Sequence, residues 1–127
     1  MTTKILLIDD DRIIRMMASA MLTRKGYQVL AAESIQQAWE LISSSGKPNL
    51  IFCDLMMPSL SGLDFLKSSK RREILGDVPV IVITAAGDKD LLEAACHAGA
   101  KQCIPKPFTQ SQLDSAIQET LNIHAVT

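Results

Sequence analysis

No apolar stretch in the 127-residue sequence approaches the roughly 20 residues that cross a bilayer. The first such run, Ile5 to Ile8, stops at three aspartates, Asp9, Asp10 and Asp11. Neither a membrane span nor a secretory signal is expected. Cysteine is scarce and odd in number: Cys53, Cys96 and Cys103 form no C-x-x-C pair, so a disulfide framework or a zinc knuckle is not expected. The expected setting is cytoplasmic and reducing. Charge of one sign is also lacking. Thirteen basic against fourteen acidic residues leave a net charge of −1 and a pI near 6.1. Such a chain has no general positive field with which to grip nucleic-acid phosphates. Internal repeats and low-complexity tracts are missing as well. The length predicts one domain over residues 1–127, large enough to bury a core without disulfide or metal staples. The start at Met1 and the short tail after Asn122 suit a stand-alone unit.

Short apolar runs alternate with amphipathic segments. The strand candidates are Ile5–Ile8, Tyr27–Ala31, Leu50–Cys53, Val78–Thr84 and Gln102–Ile104. Their apolar residues run on rather than alternate, the pattern of strands covered on both faces of a parallel sheet. Between them the period becomes helical. Ile14, Met17, Ala18 and Met21 share one face, as do Ile35, Ala38, Trp39 and Ile42, and Leu113, Ala116, Ile117, Thr120 and Leu121. A third helix is expected at about Ser61–Arg71 and a fourth at about Asp88–His97. Ser34-x-x-Gln37 and Thr109-x-x-Gln112 have the form of capping boxes. Gly26, Gly46 and Gly99 fall where helices would stop. Five strand–helix repeats with right-handed crossovers predict a doubly wound α/β domain: a five-stranded parallel sheet of flavodoxin-like order 2-1-3-4-5, with five helices. Pro105 suits a strand end at the sheet edge.

In such sheets ligands bind beyond the carboxyl ends of the strands. The first strand ends in Asp9-Asp10-Asp11, the third in Asp54, the fourth in Thr84 and the fifth in Lys106-Pro107, while the second ends in Ala31-Ala32. Strands one and three are neighbours in the expected order, so Asp9, Asp10 and Asp54 would meet at one rim. Crowded carboxylates must bind a proton or a cation, and an all-oxygen set favours a hard ion such as Mg²⁺ over zinc. Asp10 and Asp11 also have a plainer reading, as helix N-caps or first-turn acids. Thr84 adds a hydroxyl and Lys106 a compact cation, and together with a metal these are what phosphoryl oxygens require.

With those residues in view, the sequence resembles the receiver domain of two-component response regulators over essentially its whole length. The match runs through Ile5-Leu6-Leu7-Ile8-Asp9-Asp10-Asp11, Asp54-Leu55-Met56-Met57-Pro58 with Ser61-Gly62, Val80-Ile81-Val82-Ile83-Thr84-Ala85, and Lys106-Pro107-Phe108. The resemblance implies that Asp54 is the phosphoacceptor, charged from a phosphohistidine on a sensor histidine kinase or phosphotransfer protein. It implies Mg²⁺ held by Asp9, Asp10 and Asp54 with the Met56 backbone carbonyl, Asp9 acting through water. Thr84 and Lys106 would bind the phosphoryl group and switch, across a cis Lys106–Pro107 bond. Met56 and Ala86 lie where the family tunes hydrolysis of the acyl phosphate, and neither side chain can orient water. The output surface would be the fourth helix, fifth strand and fifth helix, roughly Asp88–Asn122, and would bind a downstream protein. Two positions depart from the family. Cys103 stands where an aromatic switch residue is usual, and Pro105 stiffens the segment before Lys106.

Three other readings compete with this one. A flavin carrier of the same topology would need a Ser/Thr/Gly-rich turn after the first strand, where this chain has aspartates. A phosphatase of the aspartyl-phosphate type would place its nucleophile after strand one in an Asp-x-Asp loop. A phosphorylation-independent adaptor of receiver type is kept open by Cys103. Elsewhere, Trp39 reads as core or its margin, and Cys53 as a buried small hydrophobe. His97 and His124 read as surface residues. Lys67, Lys70, Arg71 and Arg72 read as a solvated basic run after the third helix, with a docking patch as the alternative.

Overall fold

A computed structural model describes residues 2–57, 62–85 and 89–121. Five strands, β1 (Lys4–Ile8), β2 (Gln28–Ala32), β3 (Leu50–Asp54), β4 (Val80–Thr84) and β5 (Gln102–Pro105), form one parallel sheet. Its order is β2-β1-β3-β4-β5, the order expected from the sequence. The helices are α1 (Arg12–Arg24), α2 (Ile35–Ser45), α3 (Gly62–Lys67), α4 (Ser69–Leu75), α5 (Lys89–His97) and α6 (Gln110–Leu121).

Two apolar layers explain why the strand runs are continuous. Leu6, Ile8, Ile51, Cys53, Val80 and Val82 face one way, onto a cluster with residues of α2, α3, α4 and α5. Ile5, Leu7, Leu50, Phe52, Ile81 and Ile83 face the other way, onto α1 and α6. Successive strand residues point to opposite faces, so a sheet buried on both sides must be apolar at nearly every position. β3 and β4 are buried along their full length, whereas the edge strands β2 and β5 are only partly so.

The expected third helix is two helices, which corrects the five-helix reading to six among the described residues. The break is at Ser68, whose extended backbone (φ −64°, ψ 130°) interrupts the coil while its hydroxyl caps α4. That hydroxyl accepts from the Arg71 N–H at 3.3 Å, and serine gains more as a cap than inside a helix. The basic run therefore straddles the break, and Arg71 is half-buried, its Nε donating to the Leu66 carbonyl at 2.9 Å. Lys70 lies 4.7 Å from the centre of the Trp39 ring, which in turn tilts against Phe65 at 5.6 Å. Trp39 thus sits at the core margin, as expected.

Thr109 and Gln112 form the full reciprocal capping box, at 2.8 and 3.1 Å. The other box differs by one residue. Gln37 donates its N–H to the Ser34 hydroxyl at 3.1 Å, but its side-chain oxygen accepts from Glu33 rather than from Ser34. Met17, read as a core position, is 42% exposed together with its neighbour Met16 and with Ile13. The buried stripe of α1 is instead Ala18 and Leu22, with Ile14 and Met21 half-buried.

Candidate functional site

The ladder register brings the strand ends level with one another. Ile8 pairs with Cys53, so Asp9 and Asp54 leave their strands side by side. Asp54 pairs with Ile83 and Thr84 with Pro105, which puts Thr84 and Lys106 at the same rim. Among the described residues, the buried polar or charged side chains are Asp9, Asp54 and Thr84. Burial of such groups costs free energy unless they are paired, so their gathering at one sheet end marks a site rather than a core.

Local bonds fix each group. The Asp9 N–H donates to the Ala32 carbonyl at 3.0 Å, and Arg15 Nη1 donates to the Asp9 carbonyl at 2.8 Å. Asp9 Oδ1 accepts from the Asp11 N–H at 2.8 Å. Asp11 is the N-cap of α1, accepting from the N–H groups of Ile13 and Ile14. The plain capping reading therefore holds for Asp11. Asp10 makes no such cap and projects to solvent. Asp54 Oδ1 accepts from the Met56 N–H at 3.1 Å. Gly62 closes the site from behind: a Cβ there would stand 2.4 Å from the Asp54 carbonyl oxygen. The Lys106–Pro107 bond is cis, as the resemblance implied.

Lys106 joins the two buried carboxylates. Its Nζ lies 2.7 Å from Asp9 Oδ2 and 3.1 Å from Asp54 Oδ2. The Asp9 contact is the closer of the two ion pairs. Burial would lower the Lys106 ammonium, but its bonds to Asp9 and Asp54 and their charges leave it raised above its ordinary value. Burial pushes the Asp54 carboxyl upward and the charge of Asp9 adds to this, while the Met56 N–H and Lys106 act against it.

The donor set fits a hard divalent cation. Carboxylate oxygens of Asp9, Asp10 and Asp54 all lie within 4.8 Å of one another. Opposite ligands of an octahedral ion with bonds of about 2.1 Å stand about 4.2 Å apart, so small rotations would bring these oxygens into range. Three carboxylates against the single Lys106 ammonium leave an excess of negative charge that a divalent cation would offset.

A profile of the response regulator receiver domain matches residues 5–118. The chain belongs to that family. This receiver domain is 38% identical over 117 residues to the phosphate regulon transcriptional regulatory protein PhoB of Pseudomonas aeruginosa, covering 92% of this chain and 51% of that protein. It is 33% identical to the chemotaxis protein CheY1 of Helicobacter pylori, covering 93% of this chain and 96% of that one. It thus spans about half the length of the phosphate-regulon relatives it matches and nearly all of the chemotaxis relative. The structure of the Vibrio cholerae chemotaxis protein CheY4 superposes with a TM-score of 0.86 at 25% identity, covering 94% of this chain and 99% of that one. As a receiver domain with an acidic pocket at Asp9, Asp10 and Asp54, the chain is a two-component signalling domain consistent with a phosphoacceptor, rather than a conventional enzyme. The family implies a partner kinase. Among the described residues no helix is long and apolar enough to cross a membrane.

Of the residues singled out in the sequence, Asp9, Asp10, Asp54, Thr84 and Lys106 share this rim. Met56 is exposed beside it. Cys103 lies away from it, half-buried on β5 facing α5. Cys53 is buried and His97 exposed, as expected. Ala86, Pro58, Ser61, Asp88, Asn122 and His124 lie outside the described residues. Sequence reasoning missed the exposed apolar patch of Ile13, Met16 and Met17, which the i, i+3, i+4 spacing places on one face of α1 just after Asp9 and Asp10. The spacing itself was visible, but it reads equally well as a core stripe.

Proposed function

We propose that this receiver domain is the phosphoacceptor of a two-component phosphorelay, with Asp54 as the residue phosphorylated. The observation that carries this reading is Lys106 Nζ, held at once against Asp9 and Asp54 beside a third carboxylate. The Lys106 ammonium, and a cation held between Asp54 and the two carboxylates of Asp9 and Asp10, would supply the positive charge that an incoming phosphoryl group needs.

An Asp54 carboxylate oxygen attacks the phosphorus of a phosphohistidine, the new P–O bond forms as the P–N bond breaks, and the imidazole leaves. Phosphoryl transfer asks for positioning and charge neutralisation more than for covalent assistance. Asp9, Asp10, Asp54 and the Met56 carbonyl would hold Mg²⁺, which would neutralise charge on the phosphoryl oxygens. Lys106 pairs with the acyl phosphate, and the Thr84 hydroxyl hydrogen-bonds a second oxygen. The modification adds roughly −1.5 to −2 charge and draws Thr84 and Lys106 toward it, altering the surface of α5, β5 and α6, roughly Asp88–Asn122, where a downstream protein binds. The phosphodonor, a sensor histidine kinase or a histidine phosphotransfer protein, docks on Ile13, Met16, Met17 and Met56, an exposed apolar border to the site. Cys103 in place of an aromatic ring means that no ring swings inward with Thr84. That same residue favours the second reading, an adaptor of receiver type that works without phosphorylation.

Incubation with a small phosphodonor such as phosphoramidate, followed by intact-mass spectrometry, separates the two readings. The expected result is a Mg²⁺-dependent, base-labile adduct of one phosphoryl group on the wild type and none on Asp54→Asn. A folded wild type that takes up no phosphoryl group from several donors would leave the adaptor reading in place.

A further inference from the structure

Cys96 and Cys103 flank the turn that joins α5 to β5, and the backbone of that turn folds one back over the other. The Ala100 N–H donates to the Ala95 carbonyl at 3.0 Å and the Gly99 N–H to the Cys96 carbonyl at 3.1 Å. With Gly99 at φ +114°, these are the two bonds of a Schellman turn. The Lys101 N–H then donates to the Val80 carbonyl at 2.9 Å, docking the chain on β4, so that Cys103 pairs with Val82.

Alternation along β5 turns Cys103 to the side of the sheet that α5 covers, and Cys103, like Leu91, Leu92, Ala98 and Ala100, packs against the first core cluster. Cys96, on the last turn of α5, is exposed. Burial first, and then the neighbouring Cys96, push the Cys103 thiol up to about 11. Two neighbouring cysteines at one helix-to-strand turn, one open to solvent and one half-buried, have the arrangement of an attacking and a resolving cysteine. Neither residue belongs to the acidic site.

We propose that Cys96 and Cys103 are a peroxide-oxidised pair that closes to a disulfide between α5 and β5. The Cys96 thiolate attacks one oxygen of a hydroperoxide, the O–O bond breaks, and the departing oxygen takes up a proton to leave as water or an alcohol. Cys96 is then a sulfenic acid. The Cys103 sulfur attacks the Cys96 sulfur, the S–O bond breaks, and the hydroxyl leaves as water with the proton from Cys103. Two thiols give up two electrons in all, and the hydroperoxide accepts them. Disulfides in reducing compartments are mostly transient and regulatory. This one would tether the C-terminal turn of α5 to the edge strand that leads to Lys106.

The test is brief treatment of the reduced, full chain with hydrogen peroxide, alkylation of the remaining thiols, and tryptic mapping without reductant. Cleavage after Lys101 separates the two cysteines, so a disulfide appears as two linked peptides. The expected result is an intramolecular loss of two hydrogens, one linked pair containing Cys96 and Cys103, and full reversal by dithiothreitol. Cys53, buried at 0% exposure, stays a thiol. In Cys103→Ser the expected product is a Cys96 sulfenic acid that dimedone traps; in Cys96→Ser no linked pair forms. Oxidation of wild-type Cys96 to sulfinic acid with Cys103 untouched would overturn the proposal, as would a Cys96–Cys96 link between two chains. Both outcomes are read on the wild type, independently of how either variant folds.

Discussion

Asp54 owes its surroundings to one backbone amide, one ammonium and one neighbouring carboxylate, and Met56 supplies the amide at 3.1 Å. The Met56 side chain points the other way in chemical terms. It is 59% exposed at the mouth of the site and offers a thioether that orients no water. We expect Met56→Asn to shorten the lifetime of the acyl phosphate several-fold, because an amide can hold an attacking water. Decay of the phosphorylated protein, followed by mass spectrometry, checks this, and equal or slower decay in the variant would refute it. Cys103 gives a pH signature at the same scale. Its thiol is raised from 9.0 to about 11 by burial and by Cys96. A thiol raised on folding favours the folded state in full below its unfolded value and loses that contribution as pH climbs through the folded value. Pulse alkylation should therefore label Cys103 slowly at pH 8 and progressively faster as pH approaches about 11. Rapid labelling of Cys103 at pH 8 would contradict its burial against α5. The acids and Lys106 were legible in the sequence because each directly follows an apolar run. That Lys106 also reaches Asp9 was not legible, since it depends on how far β5 stands from β1 across β3 and β4.

Elements position these residues through two features that differ in how visible they are. The strands announce themselves: continuous apolar runs this short, bounded by turn residues, fit strands covered on both sides, and the observed bounds differ from the expected ones by no more than two residues at any end. β4 begins at Val80 because Pro79 precedes it, and β5 runs on to include Pro105, which the edge position tolerates. The helix break at Ser68 was hidden. No proline or glycine marks it, and a serine inside an amphipathic stretch is ambiguous until its hydroxyl is seen capping α4. Gly62 was visible as part of a motif but without a role. It opens α3 with its N–H donated to the Leu55 carbonyl at 3.1 Å, and a Cβ would meet the Asp54 carbonyl oxygen at 2.4 Å and Leu55 Cα at 3.0 Å. Backbone cannot give way as a side-chain tip can, so Gly62→Ala must displace either α3 or the end of β3. A loss of about 1–3 kcal/mol in urea denaturation is expected, the usual range for overpacking, together with slower phosphorylation. Unchanged stability would show that α3 moves freely relative to Asp54.

The whole molecule is a two-sided core with three carboxylates gathered at one end of the sheet. Three carboxylates meet there against one ammonium, a local excess of negative charge in a chain whose net charge is only −1. A bound divalent cation should therefore stabilise the fold as a whole, by about 2.7 kcal/mol at a hundred times its dissociation constant. Thermal melts with added Mg²⁺ should shift upward, return on chelation, and shift less for Asp54→Asn. An equal shift in both proteins would place the ion elsewhere. Architecture and site class were legible at this scale because strand order, rim and residue types agree; the apolar patch of α1 was not, since surface and core stripes share one period.

The claim that Asp54 accepts the phosphoryl group is tested most directly by reduction of the phosphorylated chain with borohydride, which converts an aspartyl phosphate to homoserine, followed by peptide sequencing. Homoserine at position 54 is the expected result. Homoserine at position 9 or 10, or an unaltered Asp54 in a chain that carries phosphate, would contradict the account.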